Sequence, residues 1–279
     1  MTAWLSLLFF AQAAGQAKPE TADSIMARVA ENQERAQEMR TAFVYHQTVM
    51  IRFKRTNGKL AREEYHEFTV TPTPKGVKKQ QTLFRGKYVD HGKEVAFDTP
   101  GYEHKGVDLD ADIAHDLLNS LTNDAKSRDG VEEDLFPLRP QQQKKYNFRL
   151  EGIDEYRGTS VYRVTFVPKH PSLDDDNDGD VWAGEVLVDR TEYQPVLITT
   201  HMAAKIPMLV KTLLGTNVQQ VGFKLTYKKF DEGLWFPVTY GGELKFRGLF
   251  FYARRVGISL QNSGFKRAVI ESKVNFAEK

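Results

Sequence analysis

The chain has 279 residues and a formal net charge of +2, from 39 lysines and arginines against 37 aspartates and glutamates. Hydrophobic residues make up 41% and charged residues 27% of the sequence, a composition that is typical of globular proteins and excludes an intrinsically disordered chain. The near-neutral charge argues against a nucleic-acid-binding protein that works through bulk electrostatics. The sequence has no cysteine, which excludes disulfides, zinc–thiolate sites, iron–sulfur clusters and cysteine nucleophiles.

The first residues have the pattern of a targeting segment. Residues 4–14 are mostly apolar and are followed by small residues that suit a cleavage site. The run is shorter than the roughly 20 apolar residues that a membrane span needs. We therefore predict a signal peptide over residues 1–17, a mature chain that begins at Lys18, and a periplasmic location. No lysine or arginine precedes the apolar run, so a buried N-terminal helix is the alternative.

Helical periodicity occurs in three stretches. Residues 22–40 place apolar side chains on one stripe, with Thr21 or Asp23 as the cap, and residues 108–124 repeat the pattern. A short apolar helix is predicted over residues 205–214. Residues 125–143 contain Pro137 and Pro140, fit neither helix nor strand, and are interpreted as a lid or a crossing segment.

Most of the remaining chain alternates with a period of two, which predicts β-strands. The first strand runs from Ala42 to Lys54, and Asn57-Gly58 predicts the hairpin turn that follows it. About ten to twelve long antiparallel strands in sequential order favour a sheet that curls into a barrel or half-barrel. We predict one domain over residues 18–279, and two domains divided near residue 140 are the alternative. The further predicted strands cover residues 60–71, 77–85, 88–97, 146–153, 160–168, 181–189, 195–202, 218–230, 234–246, 250–260 and 269–276.

The common enzyme signatures are absent from the sequence. It contains no nucleophile elbow, Walker loop, zinc-protease motif or dinucleotide-binding glycine motif. The histidines lack metal-ligand spacing, and His46 and His66, on facing strands of the first hairpin, are interpreted as surface or sheet-face residues. We therefore expect a protein that is not an enzyme.

One segment has a pattern of basic and aromatic residues that is typical of proteins that bind single-stranded nucleic acids. Lys245, Arg247, Arg254 and Arg255 are interleaved with aromatic residues, and such strands can stack bases. Because the net charge is small and the predicted compartment is extracytoplasmic, we interpret the segment as a sheet with aromatic inner and basic outer positions, and we expect no nucleic-acid partner.

Two short segments carry a resemblance to a known family. Residues 184–196 end a strand at Asp189, turn through an acidic loop and restart at Pro195, and residues 232–237 read Glu-Gly-Leu-Trp-Phe-Pro. In this order and spacing the chain resembles the periplasmic proteins that sort outer-membrane lipoproteins, the lipoprotein carriers of the LolA and LolB type. The resemblance implies a mainly β fold with a few helices: a single curved antiparallel sheet, a half-barrel of about eleven strands, whose concave side is covered by helices.

The resemblance also implies that the concave side holds the acyl chains of a lipid or lipoprotein in an apolar cavity. The aromatic content of the strands agrees with such a lining. The predicted lining residues are Phe223, Leu225, Tyr227 and Trp235 on two neighbouring strands, with Met208 and Leu213 on the short helix. The alternative is a structural module of the cell envelope, with a filled core and an envelope protein as its partner. We expect a monomer in either case.

An acidic segment predicts a calcium site. Asp174, Asp176 and Asp178 occupy the first, third and fifth positions of a calcium-loop pattern, Gly179 is the sixth residue and Glu185 the twelfth. The predicted ligands are the carboxylates of Asp174, Asp176, Asp178 and Glu185 and the backbone carbonyl of Asp180, with a dissociation constant of about 10⁻⁴–10⁻³ M, as in extracellular modules. The flanking residues are predicted strands and not the helices of an EF-hand, so a solvated acidic loop without metal is the alternative.

Overall fold

The computed structural model of the protein describes residues 19–73, 76–104, 108–121, 136–170, 182–203, 216–248 and 252–268. The predicted signal peptide, the helix predicted over residues 205–214, the acidic loop and the strand predicted over residues 269–276 lie outside these ranges.

Both long helices form close to where the sequence predicts them. Helix α1 spans Ala22–Arg40 and begins with a capping box, in which Thr21 and Ser24 bind each other's backbone N–H groups. Helix α2 spans Leu109–Leu121. A short helix α3, Pro140–Gln143, lies in the segment predicted to be irregular. It starts at a proline, which is tolerated in the first helical turn because the N–H group that proline lacks would have no partner within the helix there.

The strands are long and follow the predicted alternation. Strand β1 buries every second side chain from Phe43 to Phe53. The last described strand runs beyond its predicted end, to Arg267. The strands are β1 Phe43–Lys54, β2 Leu60–Thr73, β3 Gly76–Asp90, β4 Lys93–Phe97, β5 Tyr146–Tyr156, β6 Thr159–Pro168, β7 Trp182–Asp189, β8 Pro195–Met202, β9 Thr216–Asp231, β10 Leu234–Gly248 and β11 Tyr252–Arg267.

The eleven strands form one antiparallel sheet that is curved and open, a half-barrel, as the sequence predicted. The strand order is β4-β3-β2-β1-β11-β10-β9-β8-β7-β6-β5. Strands β1 and β11 are therefore hydrogen-bonded neighbours, and β4 and β5, which follow each other in the chain, form the two opposite edges. The predicted sequential order fails at this one step, because the chain between β4 and β5, which contains α2 and α3, connects the two edges. Strands from both sides of residue 140 belong to the same sheet.

One face of the sheet carries the core. Buried side chains from strands on both sides of the β1–β11 pair form one continuous cluster with residues of both long helices. Ile25 and Val29 of α1 and Ala114 of α2 belong to this cluster. Both helices therefore cover the same side of the sheet, the concave side. In the described part of the chain, no helix is both long and apolar enough to cross a membrane.

Candidate functional site

The concave face is lined with aromatic rings near the strands β7, β9 and β10. The ring of Phe223 stacks on Tyr240 with 5.3 Å between centroids, and it meets Trp182 edge-on at 5.1 Å. Phe136, which lies just before α3, forms a T-shaped pair with Tyr240, with 6.4 Å between centroids. Such ring pairs contribute about 0.5–1.5 kcal/mol beyond the area they bury. The result is an apolar wall formed by side chains that are far apart in sequence.

The predicted lining residues on β9 and β10 are all part of this buried face. Phe223 is 8% exposed, and Leu225, Tyr227 and Trp235 are buried in the same cluster. Lys224 and Lys228, at alternate positions, are exposed. Burial is what a packed core and a ligand-binding wall both require, so the role of these four residues in ligand binding stays a prediction. The other two, Met208 and Leu213, lie outside the described residues.

Phe236, the neighbour of Trp235, belongs to a second and smaller cluster with Phe43 and Leu234. A register shift between Pro237 and Thr239 separates Phe236 from the later residues of β10. Strand β10 therefore contributes to two apolar clusters, and Trp235 is the one of the two neighbouring aromatics that joins the main core.

The two segments that carry the family resemblance meet in space through Glu192. The carboxylate of Glu192, in the turn after β7, accepts hydrogen bonds from the indole N–H of Trp235 at 2.7 Å and from the backbone N–H of Gly233 at 3.2 Å. Lys229 donates a further bond to the same carboxylate. Burial alone would raise the pKa of Glu192, but the bonds from Lys229 and Trp235 outweigh it and hold the pKa below its usual value.

The same turn binds helix α1 to the sheet. The side-chain amide of Asn32 donates to the backbone carbonyl of Glu192 at 2.6 Å, and the amide of Gln33 donates to Gln194 at 2.5 Å. At the start of α1, Tyr193 donates its hydroxyl proton to Glu20 at 3.1 Å. Helix α1 is thus positioned over the concave side by directional contacts in addition to its apolar stripe.

We expect Glu192→Gln to lower the free energy of unfolding by about 1–2 kcal/mol at neutral pH, because hydrogen bonds to a charged group contribute more than neutral ones. A lowered pKa means that the ionised Glu192 stabilises the fold above its unfolded pKa of about 4.3. This contribution is lost as the pH falls through the folded value. Urea denaturation should therefore show the variant to be less stable than the wild type at neutral pH, and the two free energies of unfolding should become equal at acidic pH. The matched control is the exposed Glu232→Gln; an equal loss in the control would contradict this account.

A second polar feature, the buried charged cluster, lies on the concave side of β2 and consists of Arg62, Glu64, His66, His104 and Asp108. Arg62 is only 1% exposed and donates to Glu64 at 2.7 Å and to Asp108 at 3.0 Å. His66 lies 3.2 Å from Glu64, and His104 lies 2.8 Å from Asp108. Asp108 directly precedes α2, so the cluster joins the start of this helix to β2.

The carboxylates of the buried charged cluster are held in their ionised form. Burial would raise the pKa of Glu64, but the hydrogen bond from His66 and the charge of Arg62 leave it lowered. Burial likewise opposes ionisation of Asp108, and the bond with His104 and the charge of Arg62 lower its pKa. Each carboxylate has a cationic partner, so these groups are paired in the way that buried charges require.

A further set of contacts joins α2 to β11. Arg254 donates to both carboxylate oxygens of Asp110, at 2.9 and 3.0 Å, and Tyr252 donates its hydroxyl to the same residue at 2.6 Å. Burial, followed by the charge of Asp110, raises the pKa of Tyr252. Arg254 therefore faces the concave side, unlike Arg255 on the same strand. The interpretation of Arg254 as an outer position is therefore wrong.

The two histidines of the first hairpin are not close partners. His46 pairs with Thr69 and is exposed, whereas His66 pairs with Val49 and is buried. His66 is a sheet-face residue, but its face is the interior one. The available signal was that residues 62, 64 and 66 share a face with Phe68 and Val70, which are buried.

The calcium prediction falls largely outside the described residues, since Asp174, Asp176, Asp178 and Asp180 all lie there. Glu185 is described: it sits within β7, and its carboxylate accepts a bond from Arg163 at 2.7 Å. Among the residues that the structure describes, no group of three His, Asp or Glu side chains is arranged to hold a metal ion. The site stays a prediction.

Comparisons with known proteins give matches only among solved structures. No family model matches the chain, and no curated protein matches it. It is similar to a LolA superfamily protein from Nitrosomonas europaea, with 11% identity over 91% of this chain and 96% of that one and a TM-score of 0.35. A putative outer-membrane lipoprotein-sorting protein domain from Vibrio parahaemolyticus matches at 11% identity over 86% and 92%, with a TM-score of 0.37. The lipoprotein LppX from Mycobacterium tuberculosis matches at 8% identity over 89% and 98%, with a TM-score of 0.29.

The resemblance to lipoprotein-sorting proteins is thus found again among solved structures. Identities near a tenth and TM-scores below 0.5 give it no weight in an argument about function.

Proposed function

We propose that the protein is an extracytoplasmic binding protein or carrier that holds the acyl chains of a lipid or lipoprotein and catalyses no reaction. The observation that carries the proposal is the concave face of the half-barrel. It is apolar and aromatic over many strands, and it is covered by helices and not by a second sheet. Helices that cover a sheet can separate from it by local opening that leaves the strands folded.

The chemistry of an acyl chain suits this face. Each buried methylene group contributes about 0.8 kcal/mol, so a chain of about a dozen methylenes gains on the order of 10 kcal/mol before the costs of binding are subtracted. Phe223, Tyr240 and Trp182 supply apolar area of the kind that lines small-molecule sites. No polar head group needs to be buried, because the sheet is open and does not close into a barrel.

The charged residues of the concave side support binding better than catalysis. A catalytic carboxylate or histidine needs a substrate within reach, whereas Glu64 and Asp108 are engaged by Arg62 and by histidines. The same holds for Asp110 with Arg254. These groups are suited to holding α2 against the sheet.

The test is to purify the protein without detergent, extract it with organic solvent, and measure acyl chains by mass spectrometry. We expect a stoichiometric amount of acyl chains from the wild type and saturable binding of a fluorescent fatty acid after delipidation. Phe223→Ala should weaken this binding, and the matched control Lys224→Ala, which alters the neighbouring outward residue, should leave it unchanged. A folded wild type that yields no lipid and binds no probe would overturn the proposal and favour the envelope module with a filled core.

A further inference from the structure

The outer face of the sheet has a row of three positive charges across its central strands. Lys54 of β1 is the register partner of Arg255 of β11, and Arg255 is the partner of Lys245 of β10. All three occupy the positions that alternate with buried core residues such as Phe53, Val256 and Leu244. We refer to Lys54, Arg255 and Lys245 as the cationic row.

Sheet stability does not explain this arrangement, because like charges directly opposite each other on neighbouring strands are destabilising. One carboxylate, Glu243, reaches Arg255 at 2.8 Å, and both side chains of this ion pair are more than half exposed. The nearby Arg52 pairs with Glu63 of β2. Among the described residues of this place, the four cations Arg52, Lys54, Lys245 and Arg255 outnumber the two carboxylates Glu63 and Glu243, although the whole chain carries only +2.

A shallow groove of about 220 Å³ lies beside the cationic row. Arg52, Lys54, Arg255 and Glu243 line it together with Met50 and Ser259. Gly257 leaves its floor open, since a Cβ atom there would meet no atom within 4 Å. Ordinary small-molecule pockets measure about 300–1,000 Å³, so the groove suits one anionic head group and not a whole lipid.

We propose that the outer face of strands β1, β10 and β11 docks on the surface of an anionic phospholipid membrane, with a head-group phosphate in the groove beside the cationic row. Arginine and lysine bind phosphate oxygens by charge-assisted hydrogen bonds. A phosphate placed there also replaces the repulsion within the row by attraction. Lys224 and Arg247, exposed on β9 and β10, extend the positive charge beyond the groove, as contact with an extended surface requires.

The composition of this face favours a membrane surface over a nucleic acid or a protein as its partner. Apart from Glu243, the outward residues that adjoin the cations of β10 and β11 are small, such as Gly241, Gly257 and Ser259. Single-stranded nucleic acids are held by aromatic rings that stack on bases, and protein interfaces have an apolar centre. A field of cations among small residues instead suits diffuse attraction to anionic head groups.

The test is sedimentation of the protein with vesicles of phosphatidylcholine alone and of phosphatidylcholine mixed with phosphatidylglycerol. We expect binding to the anionic vesicles only, and its loss in about 1 M NaCl, where the Debye length is about 3 Å. Each cation near an anionic membrane contributes roughly a fivefold factor in partitioning. The triple variant Lys54→Gln, Lys245→Gln, Arg255→Gln should therefore bind about a hundredfold more weakly.

The matched control, Arg35→Gln, Lys144→Gln, Arg149→Gln, removes the same charge from exposed positions on α1, next to α3 and on β5. It should bind nearly as well as the wild type, and thermal melts should show that both variants fold. Equal binding to neutral vesicles, unchanged binding of the row variant, or an equal loss in the control would overturn the proposal. So would binding to an acidic protein or an oligonucleotide with no preference for anionic vesicles. Acyl-chain binding in the concave side depends on neither salt nor head-group charge, so the two proposals fail independently.

Discussion

Replacement of Arg62 by leucine is expected to lower the free energy of unfolding by about 3–5 kcal/mol, because removal of one partner leaves buried charges without compensation. Arg62 is almost fully enclosed and serves both Glu64 and Asp108, and its guanidinium also lies 4.6 Å from the ring centroid of Phe97. The leucine side chain fills part of the volume that Arg62 occupies and removes its positive charge. Urea denaturation at neutral pH measures the effect.

The pH dependence of the same variant distinguishes lost charge from lost packing. In the wild type, the lowered pKa values of Glu64 and Asp108 mean that their ionised forms stabilise the fold above unfolded values of about 4.3 and 3.9. This stability is lost as the pH falls through the folded values. Without Arg62 the two carboxylates gain less from ionisation, so the deficit of the variant should shrink in acid.

The control is Arg52→Leu, on the preceding strand. Arg52 also has a carboxylate partner, Glu63 at 2.5 Å, but its side chain is 42% exposed. Exposed pairs contribute about 0–1 kcal/mol. If Arg62→Leu costs no more than Arg52→Leu, or if its deficit is the same at every pH, the buried charged cluster does not stabilise the fold in the way described.

Truncation of Phe223 to alanine is expected to lower the free energy of unfolding by about 3–5 kcal/mol if its surroundings are close-packed. The ring loses its contacts with Tyr240 and Trp182 and leaves a cavity. If the ring instead borders a space that an acyl chain occupies, the loss of stability in delipidated protein should be smaller, and the loss of fatty-acid affinity should dominate. Chemical denaturation and probe titration on the same preparation separate the two effects.

The control for this prediction is Phe230→Ala. Phe230 lies on the same strand and also contacts aromatic rings, those of Phe43 and Phe236, but it is 52% exposed. We expect a change below about 1 kcal/mol and unchanged probe binding, since partly exposed side chains lose less transfer free energy. A Phe223→Ala protein that is as stable and as active in binding as the wild type would show that this wall is neither packed core nor ligand site.

Local pattern was sufficient to predict most of the secondary structure. The alternation from Phe43 to Phe53 identified β1 and its buried face, because a strand with one solvated face must alternate. Helix α1 followed from its stripe and from the cap at Thr21. The turn between β1 and β2 followed from Asn57-Gly58, and Gly58 adopts a φ of 81° that most residues avoid.

The polar contacts of the concave side could not be predicted in the same way, because their partners are distant in sequence. Arg62 meets Asp108 across 46 residues, and Asn32 meets the turn at Glu192 across 160. A lone arginine on a strand normally indicates a solvated position. The burial of Arg62 beside its carboxylate partners depends on the three-dimensional arrangement. The cationic row could not be predicted for the same reason, because its members come from three strands.

The pairing of β1 with β11 has a consequence for how the protein folds. Val49 and Leu260 are direct partners, so the middle of the sheet closes only after nearly the whole chain has been synthesised. Contacts of such long sequence separation slow folding, because a very large loop must close before they form. Until then, β1 and β10 each present an unpaired edge of the kind that promotes aggregation. Loss of β11 would therefore divide the half-barrel into two incomplete sheets, whereas loss of β4 or β5 would only shorten one edge.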